Sequence, residues 1–381
     1  MKPKTLVILL IILGVLAGAG VLLMHSRDAR SPSGEMGMRL FEDLPVNDVA
    51  FIDIQTPTAA VSLKKTAEAW MVKERFGYPA DFAKLSDLVR TLREVKIGRR
   101  FDASDEVVRR LALMPPDAAD AGEGERGTRV RMRDPDGKPI LDMVLGKTRT
   151  RDPQKGPPDG QYVMSGSGSD IFLIDRILSS FESGPAQWLQ KSPVQVDDEE
   201  VRRIACLGPD GTTVRYAMER PARGKDFQWM SPPTDHHVKK SSLNRLTRAL
   251  SGLQIEDVEP ASKASEMGKG GDAFRVDYTL FDGRIYRVFV LTGCSPTVPC
   301  RIRIEAACGA PESQEADADQ GDRSKREGSA GSDGEEKPSP PAEEAAQEDA
   351  RLRPWVFTIP EWQYQAFFTD PEALLEKEAE K

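Results

Sequence analysis

The sequence predicts an α+β protein: a tandem duplication of a strand, strand, helix, three-or-four-strand and short-helix unit, placed after one N-terminal transmembrane helix. Three observations carry that expectation. Thr5 to Met24 is a charge-free run of twenty residues, a leucine-rich helical spacing occurs twice 158 residues apart, and an Asp-Gly hairpin signal occurs twice 146 residues apart. With 39% hydrophobic and 30% charged residues the chain has the composition of a folded protein, which excludes collagen-like, coiled-coil and wholly disordered readings. A net charge of −8 argues against nucleic acid as a partner.

The apolar run comes first. At 1.5 Å per residue it reaches about 30 Å, the thickness of a bilayer's hydrocarbon core. Lys2 and Lys4 precede it and no acid does, so residues 1–4 are expected in the cytoplasm, 5–24 across the membrane and 25–43 in a linker. The body is then expected outside a bacterial inner membrane, in the periplasm or beyond, with the cytoplasmic membrane as its first partner. A cleaved signal peptide, using Ala17-Gly18-Ala19 as its small-residue site, is the competing reading, but such signals have apolar cores of about 7–15 residues. Four cysteines suit an oxidising compartment. Cys294 and Cys300 bracket a short loop with two prolines, which brings their ends together for a local disulfide.

The repeat follows. Leu85, Leu88, Leu92, Val95 and Ile97 share their spacing with Leu243, Leu246, Leu250, Leu253 and Ile255, placing one apolar stripe on each of two helices. Ser241 and Ser242 are the N-cap candidates of the second helix. Trp70-Met71 recurs as Trp229-Met230, a pair expected to pack strands against helix. Downstream, Asp136-Gly137 and Asp282-Gly283 each sit between alternating apolar runs, a hairpin signal because glycine accepts positive φ. Ile171 to Ile174 then answers to Val356 to Ile359, each leading into a helical tail, Asp175 to Phe181 and Pro360 to Phe368. The copies are placed at residues 44–190 and 194–376.

Residues 311–350 interrupt the second copy. They hold no Val, Ile, Leu, Met, Phe, Tyr or Trp, and thirteen Asp or Glu against four Lys or Arg. Such a segment buries too little apolar surface to offset chain entropy, so disorder is expected throughout it.

Chemistry-bearing patterns are sparse. Asp235, His236 and His237 are weak metal candidates, since adjacent histidines diverge on any regular backbone. Asp197 to Glu200 reads as a solvated acidic linker, and no phosphate-binding loop or nucleophile elbow occurs. No cofactor is expected. Trp355, Trp362, Tyr364, Phe367 and Phe368 cluster near the C-terminus, either as a partner-docking surface or as closure of the second core.

The opening strand pair Val49 to Leu63, then Trp70-Met71, Tyr78-Pro79-Ala80-Asp81, the helix Leu85 to Val95 and the late strand Ile171 to Ile174 together resemble the bacterial family defined as domain of unknown function DUF4340. The likeness covers most of 44–190 and, more loosely, 194–376. It implies a non-enzymatic, extracytoplasmic accessory or scaffold component with protein partners in an envelope transport assembly, such as an ABC-type, gliding-motility-like system. The alternative from another class is an envelope metal-dependent hydrolase or a binder of cell-wall glycan or peptide.

Overall fold

The computed structural model describes residues 36–42, 44–150, 156–166, 170–182, 184–231, 238–263, 274–291, 294–295, 297–309, 340–367 and 369–375. The expected transmembrane run lies outside them; among the described residues no helix is long and apolar enough to cross a membrane. The chain divides into two compact units, Met1–Trp188 and Leu189–Lys381.

The first unit is built on a nine-stranded antiparallel sheet of order β4-β3-β2-β1-β6-β7-β8-β9-β5. Its strands are β1 (Phe51–Gln55), β2 (Ala60–Lys65), β3 (Trp70–Val72), β4 (Tyr78–Pro79), β5 (Ile97–Asp102), β6 (Thr128–Arg133), β7 (Pro139–Arg149), β8 (Gly160–Ser165) and β9 (Asp170–Ile174). Alternation decides the faces: Ile52, Ile54, Val130 and Met132 point inward, while Asp53, Arg129, Arg131 and Arg133 point outward. Helix α1 (Phe82–Glu94) starts where the Asp81 carboxylate accepts a hydrogen bond from the Lys84 N–H at 3.0 Å, and it buries Leu85, Leu88 and Leu92. Helix α2 (Asp105–Arg110), capped by Ser104, contributes to a second apolar cluster in which Val107 and Val108 pack against Leu113, Val144, Met164 and Ile171. With both faces covered there, Met143, Val144 and Leu145 are buried in succession. The Asp136-Gly137 hairpin forms between β6 and β7, with Gly137 at φ 83°. The tail expected as a helix over Asp175 to Phe181 is only one 3-10 turn, Ser179–Glu182.

The second unit carries β10 (Val201–Leu207), β11 (Val214–Glu219), β12 (Gln228–Ser231), β13 (Asp257–Pro260), β14 (Phe274–Leu280), β15 (Arg284–Val290), β16 (Cys300–Cys308) and β17 (Trp355–Ile359). They form one antiparallel sheet of order β12-β11-β10-β14-β15-β16-β17-β13. Helix α3 (Lys240–Ser251) buries Leu243, Leu246 and Leu250, and the Tyr278 hydroxyl donates to the Leu246 carbonyl at 2.9 Å, tying that helix to β14. Its N-cap position is Lys239, with no side-chain cap; Ser242 lies inside the helix and is buried, so neither serine caps it.

Of the acidic segment, residues 311–339 lie outside the described residues, and the expectation of disorder fails only over its last part. The last part of the acidic segment is helical: α4 (Pro340–Leu352) packs beside β16, burying Ala345 and Leu352, and the Asp349 carboxylate accepts from the Ala306 N–H at 3.1 Å. Alanine and glutamate are strong helix formers, and the packing on β16 with the Arg284–Glu344 pair at 3.1 Å holds the helix in place. Helices α5 (Glu361–Phe367) and α6 (Pro371–Leu374) close the described chain.

Candidate functional site

Asp235, His236 and His237 lie outside the described residues, as does Phe368. Among the described residues no group of three or more His, Cys, Asp or Glu gathers as a metal site. Cys294 and Cys300 are joined in a disulfide, with Cα atoms 4.3 Å apart. Of the two readings of the C-terminal aromatics, closure of the second core describes Tyr364 and Phe367, and among the described members only Trp362 stands out at the surface. Trp362 is exposed, but Phe367 is fully buried edge-on to Tyr278, and Tyr364 is buried with its hydroxyl donating to the Leu291 carbonyl at 2.6 Å. Those two residues close the core. Trp70 and Trp229 are only half-buried, and Trp188 is the tryptophan held at 0% exposure, with the Lys84 ammonium 4.6 Å above its ring.

The acidic run before β10 is likewise built into the fold. Asp198–Glu200 forms a 3-10 turn; Arg223 forks onto Glu200 at 2.7 and 2.6 Å, and the Arg248 Nε donates to Asp198 at 3.2 Å. Arg223 is the main cause holding the Glu200 carboxyl below its ordinary value.

A more organised surface lies on the outward face of the second sheet. Along β14, β15 and β16 the inward positions are Val276, Tyr278, Tyr286, Val288, Ile302 and Ile304, which leaves Arg275, Asp277, Arg287, Phe289, Arg301, Arg303 and Glu305 on the other side. The register aligns these into rows. Asp277 faces Arg287, which faces Glu305; Arg275 faces Phe289, which faces Arg303. One row alternates in charge. In the other the Phe289 ring lies between two guanidiniums, 4.4 Å from Arg303 and 6.0 Å from Arg275.

Ion pairs stitch the rows together: Arg275 to Asp277 at 2.8 Å, Arg303 to Glu305 at 3.5 Å and Arg301 to Glu259 of β13 at 3.3 Å. These side chains are half-buried, so screening by solvent is partial and the guanidiniums are held in place. Burial pushes the Asp277 carboxyl up, an effect that neighbouring Arg275 opposes. The buried Nε of Arg287 has no hydrogen-bond acceptor among the described residues. Four arginines thus meet three carboxylates across one face of the sheet, with the Arg287 Nε to spare.

Chemically this plane offers forks for carboxylates or phosphates and a ring edge for apolar contact. It offers no nucleophile beside a base. Arginine and aromatic residues held in place are what central positions of protein interfaces are made of. Period-two alternation of arginine with aliphatics in β14 to β16 was the signal available in the sequence; the rows follow once the Asp282-Gly283 turn, with Gly283 at φ 90°, fixes the register.

The chain matches the family described as Domain of unknown function (DUF4340) over residues 70–269, more than half its length. It belongs to that family. The match begins at β3 and runs past the junction of the two units to a point beyond β13. Neither the curated proteins nor the solved structures gave a match.

Proposed function

We propose that this protein is a membrane-anchored, non-enzymatic accessory or scaffold component outside the cytoplasm, built from two tandem copies near 44–190 and 194–376. In this reading the arginine–aromatic plane of the second unit receives a protein partner, and the partner belongs to an envelope transport assembly of ABC type. The observation that carries it is the Arg275–Phe289–Arg303 stack set beside the Asp277–Arg287–Glu305 row. Such a stack is pre-ordered, so little side-chain entropy is lost when a partner arrives. Duplication is supported by the two strand orders, which read the same once β4 is set aside, and by the repeated leucine spacing and Asp-Gly turns. Anchoring is supported by the uncharged run Thr5 to Met24.

The test is site-specific crosslinking in cells, with a photoreactive phenylalanine in place of Phe289. The expected result is an adduct with a subunit of a membrane transport complex, absent when the probe replaces Arg131 on the first sheet. Arg303→Gln with Phe289 carrying the probe should reduce that adduct at least about tenfold, and the variant's melt is recorded beside it to show that the unit is still folded. Adducts with cell-wall peptide or glycan alone would overturn the reading. So would stoichiometric metal in the purified chain that is lost on His236→Ala or His237→Ala.

A further inference from the structure

Met36 to Leu40 is laid against the corner between α1 and β5. The Gly37 N–H donates to the Ile97 carbonyl at 2.8 Å, the Ile97 N–H to the Met38 carbonyl at 2.9 Å, and the Leu40 N–H to the Val95 carbonyl at 2.9 Å. Gly37 has φ 84°, a conformation that a side chain would strain. This fixes where the body of the first unit meets the chain leading back toward Thr5–Met24. Only eleven residues, 25–35, separate that run from Met36, a reach of at most about 40 Å.

The same corner is basic and greasy. Arg39, Arg90 and Arg93 line one open cleft of about 480 Å³ together with Ser86, Val89 and Glu94. Its carboxylates are already engaged: Glu94 with Arg176 at 2.9 Å, and the neighbouring Asp87 with Arg90. Arg39 and Arg93 make no ion pair among the described residues, and exposed Lys96 bridges to Arg39 through the backbone. Beside them Met36 and Met38 are 60% and 46% exposed.

We propose that this corner of the first unit docks onto the surface of a bilayer containing anionic phospholipid. Arg39, Arg90 and Arg93 receive headgroup phosphates, and Met36 and Met38 enter the boundary between headgroups and acyl chains. The proposal rests on the anchoring reading above. A short tether confines this corner near the bilayer, its charge complements an anionic leaflet, and basic side chains flanking apolar ones are the pattern of an interfacial contact. A soluble anion would engage the arginines and leave the two methionines without a role.

The experiment uses the full chain reconstituted into vesicles of phosphatidylcholine alone or with phosphatidylglycerol, followed by backbone hydrogen exchange. Expected is slowed exchange over 36–42 and 85–97 in the anionic vesicles only, reversed by high salt. Each of Arg39→Ala, Arg90→Ala and Arg93→Ala should weaken the docking equilibrium about fivefold. Arg39→Glu with Arg90→Glu and Arg93→Glu should abolish the protection, while unchanged exchange in β6 to β8 of the same unit shows that the variant is folded. A chain that stays in the vesicles without lipid-dependent protection overturns the docking and leaves the anchor standing. A chain washed off the vesicles by alkali overturns the anchor and the docking with it. Protection seen in native membranes and in neither kind of vesicle overturns the proposal in favour of a protein partner.

Discussion

Arg220 has 7% of its surface exposed, and main-chain carbonyls meet its guanidinium. Its Nε donates to the Val201 carbonyl at 2.6 Å and its Nη2 to the Asp198 carbonyl, while the rings of Phe227 and Phe281 lie 4.8 and 5.9 Å from it. Burial lowers its pKa and the acidic run 197–200 opposes that, so the charge persists and glues the turn before β10 to β11. Arg220→Ala should therefore cost the second unit about 2–4 kcal/mol, and Arg220→Lys should recover less than half of this, because a lysine cannot fork to two carbonyls; chemical denaturation measures both. Cys206 gives the pH prediction. Burial raises its thiol from an ordinary 9.0 to about 11, so the folded state holds the proton longer than the unfolded state. Stability from that group is complete below pH 9 and is lost as the pH climbs toward 11, by at most about 3 kcal/mol. Tyr286, pushed up to about 12 chiefly by burial, extends the loss to higher pH. Cys206→Ala should flatten the first part of the alkaline decline in a pH series of melts. In the native chain a thiol reagent should label the half-exposed Cys308 and spare the buried Cys206.

Elements with a strong internal period were legible in the sequence, and elements without one were not. The leucine stripes of α1 and α3 and both Asp-Gly hairpins declare themselves through spacing, because period and turn chemistry are local. The caps were not so plain: Asp81 caps α1 with its carboxylate, whereas α3 begins without a side-chain cap. Helix α4 was invisible because Ala345 and Leu352 are its buried residues and only Leu352 is a bulky aliphatic. Composition averaged over 311–350 hides a helix confined to the segment's last part, whose hold on β15 and β16 combines two buried side chains with the Asp349 bond and an Arg284–Glu344 pair. Replacing 311–339 with a short Gly-Ser linker should leave the melt of the second unit within about 0.5 kcal/mol of its starting stability. Extending the deletion through Leu352 removes the Asp349 bond to Ala306 and uncovers β16, and should cost about 2–4 kcal/mol. Equal melts for the two deletions would mean that α4 contributes nothing to the fold.

At the scale of the molecule the repeated spacings were legible, but the strand order and the arginine–aromatic plane were not, since both need cross-strand pairing to appear. A residue list such as Trp362, Tyr364 and Phe367 cannot say which side chains face inward, and two of those three fill the core. Each unit has its own sheet, helix stripe and buried interior, which makes separate unfolding the expectation. Gly146 tests it in the first unit. A methyl there would come within 2.8 Å of Leu113 Cδ2 and closer still to the Leu111 carbonyl, at an irregularity of the β7–β8 pairing where buried Gln161 donates to the Gly146 carbonyl at 3.1 Å. Backbone cannot give way as a flexible side chain would, so Gly146→Ala should cost about 2–3 kcal/mol. In calorimetry of the full chain that variant should lower one transition by about 5–8 °C and leave the other unmoved, while Arg220→Ala should do the converse. The two substitutions then report on different transitions because each breaks packing inside one sheet's own core. A single transition shifted by both would show instead that the units fold as one cooperative body.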